Sequence, residues 1–96
     1  METLEQLKEY ITELGYEDVP VFDNPSYVTA FIGMSNNGNA VYDFDKMVEY
    51  LIETDGMEYE EAVEFIEYNT IRALPYMGEF APIVVYPTND YMLWRS

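Results

Sequence analysis

The sequence predicts a small α+β domain in which an antiparallel sheet of three or four strands is packed by three helices. Three stretches place apolar residues at the 3-4-3-4 spacing of an amphipathic helix, with acidic residues on the opposite face. Residues 36–39, rich in Asn and Gly, are typical of a β-hairpin turn, and residues 83–86 form a strand-like run bounded by prolines. We expect the order α-β-β-β-α-α-β in a single domain, residues 1–96.

The first helix is predicted over residues 3–14. Thr3 and Gln6 fit a capping box, in which each side chain bonds the backbone N–H of the other residue. Gly15 can adopt the left-handed conformation that ends a helix. Residues 19–22 are short, apolar and contain a proline, so they form either an edge strand or an extended lead-in. The apolar face of the helix consists of Leu4, Leu7, Ile11 and Leu14.

A hairpin is predicted next. Residues 27–34 are rich in aromatic and β-branched side chains, which favour a strand, and residues 40–42 form the returning strand after the turn. Residues 83–86 supply the last strand. Residues 88–96 have no clear pattern, but we expect them to dock on the domain because they are strongly apolar. The apolar residues of this tail are Tyr91, Met92, Leu93 and Trp94.

Residues 43–67 form the most informative stretch, read as two helices joined by a turn at residues 55–57. Asp43 is the expected N-cap of the first of these helices, and Pro75 ends a possible extension of the second. Acids spaced four residues apart destabilise a helix by roughly 0.2–0.5 kcal/mol per pair. Stability alone would therefore favour lysines here. The apolar faces consist of Phe44, Met47, Val48, Leu51 and Ile52, then Tyr59, Ala62, Val63 and Ile66.

Composition limits the classes of function. The net charge is −15, but 17% of the residues are aromatic and the helical spacing is clear, which indicates a folded chain rather than an acidic disordered one. Nucleic acid and anionic membranes would repel such a surface. The chain has neither cysteine nor histidine, which removes disulfides and the commonest general base and metal ligand. The acidic N-terminus and the lack of a long apolar run predict a cytoplasmic protein.

No motif predicts catalysis, a cofactor or a metal site, and we expect no enzymatic activity. Asp43 and Asp45 form an Asp-x-Asp pair, which we interpret as a helix N-cap followed by a carboxylate favoured by the helix dipole. Neither Gly38 nor Gly56 fits the ligand spacing of an EF-hand loop. Among nineteen acidic residues some close pair is unavoidable, so sequence spacing alone does not predict a glycosidase.

The acidic faces of residues 43–67 are the predicted partner-binding surface. We expect Tyr50 and Tyr68 to anchor the contact, because tyrosine is enriched at interface hot spots, unless each lies at the edge of the core. Arg72 is expected to form either a structural ion pair with a nearby carboxylate or an orienting contact at a binding site. The predicted contact acids are Asp45, Glu49, Glu53, Glu60, Glu64 and Glu67.

Three segments carry a resemblance to known proteins: residues 37–45, residues 55–57 with the acids and alanine at 60–62, and residues 68–76. Together they resemble small uncharacterised proteins carried by phages and mobile elements of low-GC Gram-positive bacteria. This resemblance covers about half of the chain, residues 37–76, and implies no active site. In charge and size the chain is also similar to acidic anti-restriction and anti-CRISPR proteins, which imitate nucleic acid.

These observations lead to two hypotheses. In the first, the protein is an inhibitor that occupies the basic nucleic-acid groove of a host defence protein, because carboxylates four residues apart on a helix are about 6 Å apart, comparable to successive phosphates. In the second, it is a generic protein–protein interaction module of a phage or mobile element that acts without catalysis. Either protein could be a monomer or a homodimer.

At the start of the third helix Glu58 stands where Ser would complete a capping box with Glu61, which predicts fraying there.

Overall fold

The computed structural model describes residues 2–88, so the expectation that the tail docks lies outside the described residues. The elements are α1 (Leu4–Glu13), a first 3-10 helix (Pro25–Ala30), β1 (Phe31–Met34), β2 (Ala40–Asp43), α2 (Phe44–Asp55), α3 (Tyr59–Asn69), a second 3-10 helix (Ile71–Tyr76) and β3 (Ile83–Val85). The predicted α+β class and the three predicted helices are confirmed.

Local sequence signals explain the helix ends. In α1 the Thr3 hydroxyl accepts from the Gln6 N–H at 3.1 Å, and the Gln6 side chain accepts from the Thr3 N–H at the same distance. Gly15 follows the helix with φ 101°. In α3 the Glu61 carboxylate accepts from the Glu58 N–H at 3.3 Å. This contact satisfies a donor at the helix start, where we predicted fraying.

The sheet has the order β1-β2-β3 and is mixed rather than wholly antiparallel. β1 and β2 form the predicted hairpin, in which the Ser35 N–H donates to the Asn39 carbonyl at 2.8 Å. β2 and β3 are parallel, with Val41 opposite Ile83. Parallel strands require a long crossover, and here α2 and α3 supply it.

Residues 27–30 differ from the sequence prediction, since the strand begins only at Phe31 and the preceding residues form a 3-10 helix. The Tyr27 N–H donates to the Asn24 carbonyl at 3.0 Å, which is the turn chemistry of the Asn-Pro pair prevailing over β propensity. Residues 19–22 likewise join no strand of the sheet; Val21 and Phe22 are buried instead.

The core lies between the sheet, the first 3-10 helix and the inner faces of the three helices. Three aromatic rings meet at its centre: the Phe22 ring lies 4.6 Å from that of Tyr42 and 5.8 Å from that of Tyr27, centroid to centroid. The buried apolar residues are Leu7, Ile11, Val21, Phe22, Tyr27, Val28, Ala30, Ala40, Tyr42, Phe44, Met47, Val48, Leu51, Ala62 and Ile66.

Candidate functional site

α2 presents the first row of predicted contact residues. Its N-terminus is capped by Asp43, whose carboxylate accepts from the Lys46 N–H at 3.1 Å. Its C-terminus ends at Gly56, which adopts the left-handed conformation with φ 69°. Between these caps the buried residues face the core. The carboxylates four residues apart, on Asp45, Glu49 and Glu53, are all exposed.

α3 presents the second row. Ala62 and Ile66 are fully buried, and this inner face fixes the orientation of the helix. Glu60, Glu64 and Glu67 are exposed. Their helical positions place these three carboxylates away from the buried pair.

The two rows are held together by the packing of their helices. Gly56 makes the short connection between α2 and α3, and the two helices contact each other. α2 also packs on the first 3-10 helix, while the Thr70 hydroxyl at the end of α3 lies 3.3 Å from the buried Tyr27 hydroxyl of that same element. Both helices are therefore anchored to one segment, and their predicted contact acids are exposed. We call the exposed carboxylates of Asp45, Glu49, Glu53, Glu60, Glu64 and Glu67 the helix-pair acids.

The two predicted anchor tyrosines differ in their environment. Tyr68 is 68% exposed on the outer side of α3, among the helix-pair acids. Tyr50 is half-buried, and it is not among the residues that pack against the core. Tyr59 was expected on the apolar face of α3 but is 64% exposed. Position 59 is the first helical residue, so its side chain can point past the end of the core.

Cations do not neutralise the helix-pair acids within the described part of the chain. Among residues 2–88, Lys8, Lys46 and Arg72 form no ion pair with a carboxylate. The expectation of a structural ion pair for Arg72 is therefore not met there. Instead, its guanidinium carbon lies 5.3 Å from the centre of the Tyr68 ring, in a cation–π contact.

Exposed acids also occur outside the helix pair. Glu5, Glu9 and Glu13 form a row on the exposed side of α1, again four residues apart. α1 packs against the first 3-10 helix, whereas α2 and α3 pack against each other. Exposed acids therefore occur on all three helices, and α2 and α3, which contact each other, carry two of the three rows.

Exposed aromatic residues between positions 76 and 86 are the feature that the sequence prediction missed. Tyr76 is 90% exposed at the end of the second 3-10 helix, and Phe80 and Tyr86 are more than 45% exposed. The available signal was their position in a stretch interrupted by Pro75, Gly78, Pro82 and Pro87, where a regular buried face cannot continue.

The described part of the chain has several grooves at its surface. A groove of about 390 Å³ lies between α1 and residues 16–23. Its carboxylates belong to Asp18 and Asp23, which are both exposed. In the described part of the chain no three carboxylates are grouped so that they could hold a metal ion.

Within residues 2–88, no helix combines the length and apolar character that crossing a bilayer requires.

No family model matches the chain, and comparison with curated proteins and with solved structures found no match.

Proposed function

We propose that this protein is an acidic inhibitor that imitates nucleic acid and occupies the basic groove of a host nucleic-acid-binding defence protein. It would be carried by a phage or mobile element and act in the host cytoplasm, as anti-restriction and anti-CRISPR proteins do. One observation supports the proposal above all others. The helix-pair acids are exposed on two adjacent helices, and no cation pairs with them among residues 2–88.

The physical case is a match of charge and spacing. A groove that binds nucleic acid is lined by Lys and Arg and has a positive potential. Carboxylates at i and i+4 are about 6 Å apart along a helix axis, so each helix offers a row of negative charges at regular intervals. The helices that carry the rows are held in place because their inner faces are buried in the core and the Glu58 N–H at the start of α3 is bonded by Glu61. The helix backbones therefore lose little conformational freedom on docking, whereas each exposed acidic side chain still loses rotamer freedom.

A second candidate function is an interaction module that docks through an apolar surface. The observation that favours it is the exposure of Phe80, Ile83 and Tyr86 along and beside β3, an edge strand. Exposed apolar side chains near an edge strand are typical of protein contacts. Binding of this kind would respond little to salt, whereas binding through charge rows would weaken steeply between about 50 and 200 mM salt.

Charge reversal tests the proposal. Changing Glu49, Glu53, Glu60 and Glu64 to Lys should abolish capture of the basic partner from host lysate at low salt. The fold should survive, because the four side chains are exposed and the changes lower the net negative charge of the chain. The matched control reverses Glu2, Glu5, Glu9 and Glu13 on the α1 side, which changes the net charge by the same amount. It should reduce binding far less.

Circular dichroism and thermal melting would verify that both charge-reversed proteins fold. If the helix-pair variant retains its partner, or if both variants lose it equally, the acidic rows of α2 and α3 are not the binding surface. Capture that persists unchanged at high salt would favour the apolar module instead.

A further inference from the structure

The sheet has an apolar outer face that lies outside the core. Side chains alternate along a strand, so Tyr42 of β2 faces the core and Val41 faces the other side. The parallel register puts Ile83 of β3 beside Val41, and Val85, two residues further along, shares that side. These three side chains neither belong to the core nor pack against it, whereas Val84 does pack against it. We call Val41, Ile83 and Val85 the outer sheet face.

Gly33 leaves a gap in this face. It lies opposite Val41 in the pairing of β1 with β2, and a Cβ placed at Gly33 would meet no atom within 4 Å beyond its chain neighbours. Ile32, beside it on β1, is 48% exposed. The outer sheet face therefore combines aliphatic groups with an open depression, and that combination suits the insertion of an apolar side chain.

The area and the charge of this face argue against a second copy of the chain as its occupant. A stable interface buries about 800 Å² on each partner, whereas the outer sheet face consists of three aliphatic side chains, of which Val41 and Val85 are already half-buried. A net charge of −15 on each copy would also oppose association. An occupant linked to the domain needs less area, because a tether raises its effective concentration into the millimolar range.

Residues 89–96, which lie outside the described part of the chain, match this face in composition and in reach. They contain one acid and one cation, so they carry no net charge in a chain of net charge −15. They follow Thr88, three residues beyond the end of β3 at Val85. Eight extended residues span up to about 26–29 Å, whereas a three-stranded sheet is about 10 Å across. Four apolar residues stand in succession there: Tyr91, Met92, Leu93 and Trp94.

We propose that the outer sheet face is the docking site of residues 91–94 of the same chain. Pro87, Asn89 and Asp90 favour a turn that would return the chain towards the sheet. An apolar side chain from residues 91–94 would then fill the gap at Gly33. The docked segment would cover Ile83, which is part of the surface that the alternative interaction module would use. Docking of this kind is independent of the nucleic-acid mimicry proposed above.

Trp94 makes this docking measurable, because it is the single tryptophan of the chain and its fluorescence reports on this segment alone. In the wild type its emission should be blue-shifted from that of the urea-unfolded protein, as expected for a buried indole. Ile83→Lys puts a charge on the outer sheet face and should lower the ratio of docked to undocked chains by about tenfold, since the charge loses hydration on docking. Emission should then move towards that of the unfolded protein, and quenching by acrylamide should increase.

Ile52→Lys is the matched control. Ile52 lies on α2 and is 36% exposed, against 38% for Ile83, so the fold should tolerate both changes equally. This control should leave the emission of Trp94 unchanged, and circular dichroism would verify that both variants fold. Nuclear magnetic resonance of the wild type gives a measurement that needs no variant. Overhauser contacts are expected between the Trp94 ring and the methyl groups of Val41 and Ile83.

Three results would overturn the inference. The first is wild-type emission equal to that of the unfolded protein, or equal shifts in the two Lys variants. The second is a blue shift that grows with protein concentration, which would place these residues on a second copy. The third is a set of Overhauser contacts to the backbone of β3 without contacts to Val41, which would show that a strand is added at the sheet edge instead. None of these results bears on the helix-pair acids, whose role is tested by charge reversal and capture.

Discussion

Tyr42 is a core residue whose side chain can ionise when the pH of the solvent is raised. Its side chain is fully buried, and its hydroxyl accepts a hydrogen bond from the Phe22 N–H at 3.3 Å. Burial raises the pKa of Tyr42 to about 12; the bond from Phe22 lowers this pKa and the charge of Asp23 raises it. Tyr27, also buried and bonded to Thr70, has a pKa raised by burial as well.

The stability of the fold should therefore fall at alkaline pH. Between pH 10 and 12 the unfolded chain loses the Tyr42 proton while the folded chain keeps it, so the unfolded state binds fewer protons and the free energy of unfolding decreases. The loss is about 1.4 kcal/mol per pH unit for this residue, and Tyr27 acts in the same direction. The stability contributed by the raised pKa of Tyr42 is fully present below pH 10, and it is lost as the pH rises above that value. Urea unfolding between pH 8 and pH 11.5 measures it.

Tyr42→Phe separates the two roles of the hydroxyl. At pH 7 this change should cost about 1–3 kcal/mol, because the buried Phe22 N–H loses its acceptor. Above pH 10 the variant should lose less stability per pH unit than the wild type. Equal pH slopes for the two proteins would contradict the assignment of the alkaline transition to Tyr42.

Among the elements, α2 joins the sheet to the helix pair directly, since β2 ends at Asp43 and α2 begins at Phe44. Asp43→Ala removes the acceptor for the Lys46 N–H and should lower the stability of the protein by about 1 kcal/mol. Asp43→Asn is the matched control, because its side-chain oxygen can still accept that bond. Thermal melting of both variants tests this, and equal losses would show that the cap is not responsible.

The parallel pairing of β2 with β3 also helps to position α2. Helices α2 and α3 together return the chain to the same sheet, and the β3 register places Val85 beside Asp43 at the base of α2. The strand therefore supports the start of the helix that displays Asp45 and Glu49. The hairpin turn contributes from the other side: the buried Asn39 amide donates to the Ala81 carbonyl at 2.9 Å and ties down the loop before β3.

For the whole molecule, the net charge of −15 opposes the compact state. Repulsion between exposed charges is screened over about 8–10 Å near physiological ionic strength. The melting temperature should therefore rise as NaCl increases from about 20 to 300 mM, and the rise should be smaller for the variant with four helix-pair lysines. Calorimetric melting at fixed pH measures both curves. A melting temperature independent of salt would show that self-repulsion is not a significant part of the stability.

Much of the fold follows from local signals. The caps of α1 and α2, the hairpin turn and the strand at residues 83–85 were predicted because each depends on residues close together in the chain. Residues 27–30 were predicted wrongly, because the turn chemistry of Asn24 and Pro25 prevailed over the strand propensity of the aromatic and β-branched side chains. The direction of β3 was not predictable locally, because it depends on where two helices return the chain.

The candidate site was likewise predicted only in part. Periodicity predicted that Glu49, Glu53, Glu60 and Glu64 would be exposed, and they are. It did not distinguish Tyr50, which is half-buried, from Tyr68, which is exposed, because both flank their apolar faces. It also did not predict that Arg72 would stack on Tyr68 instead of pairing with an acid within the described residues.

By itself the sequence determined the class of fold, the positions of the helices and the acidic character of their outer faces. These depend on residue type and on spacings of three and four, which act over one or two helical turns. Only the tertiary structure decided that β3 runs parallel to β2, that α2 and α3 contact each other, and that Arg72 lies on Tyr68. Those outcomes depend on contacts between distant parts of the chain, whose free energies are realised only when the core closes.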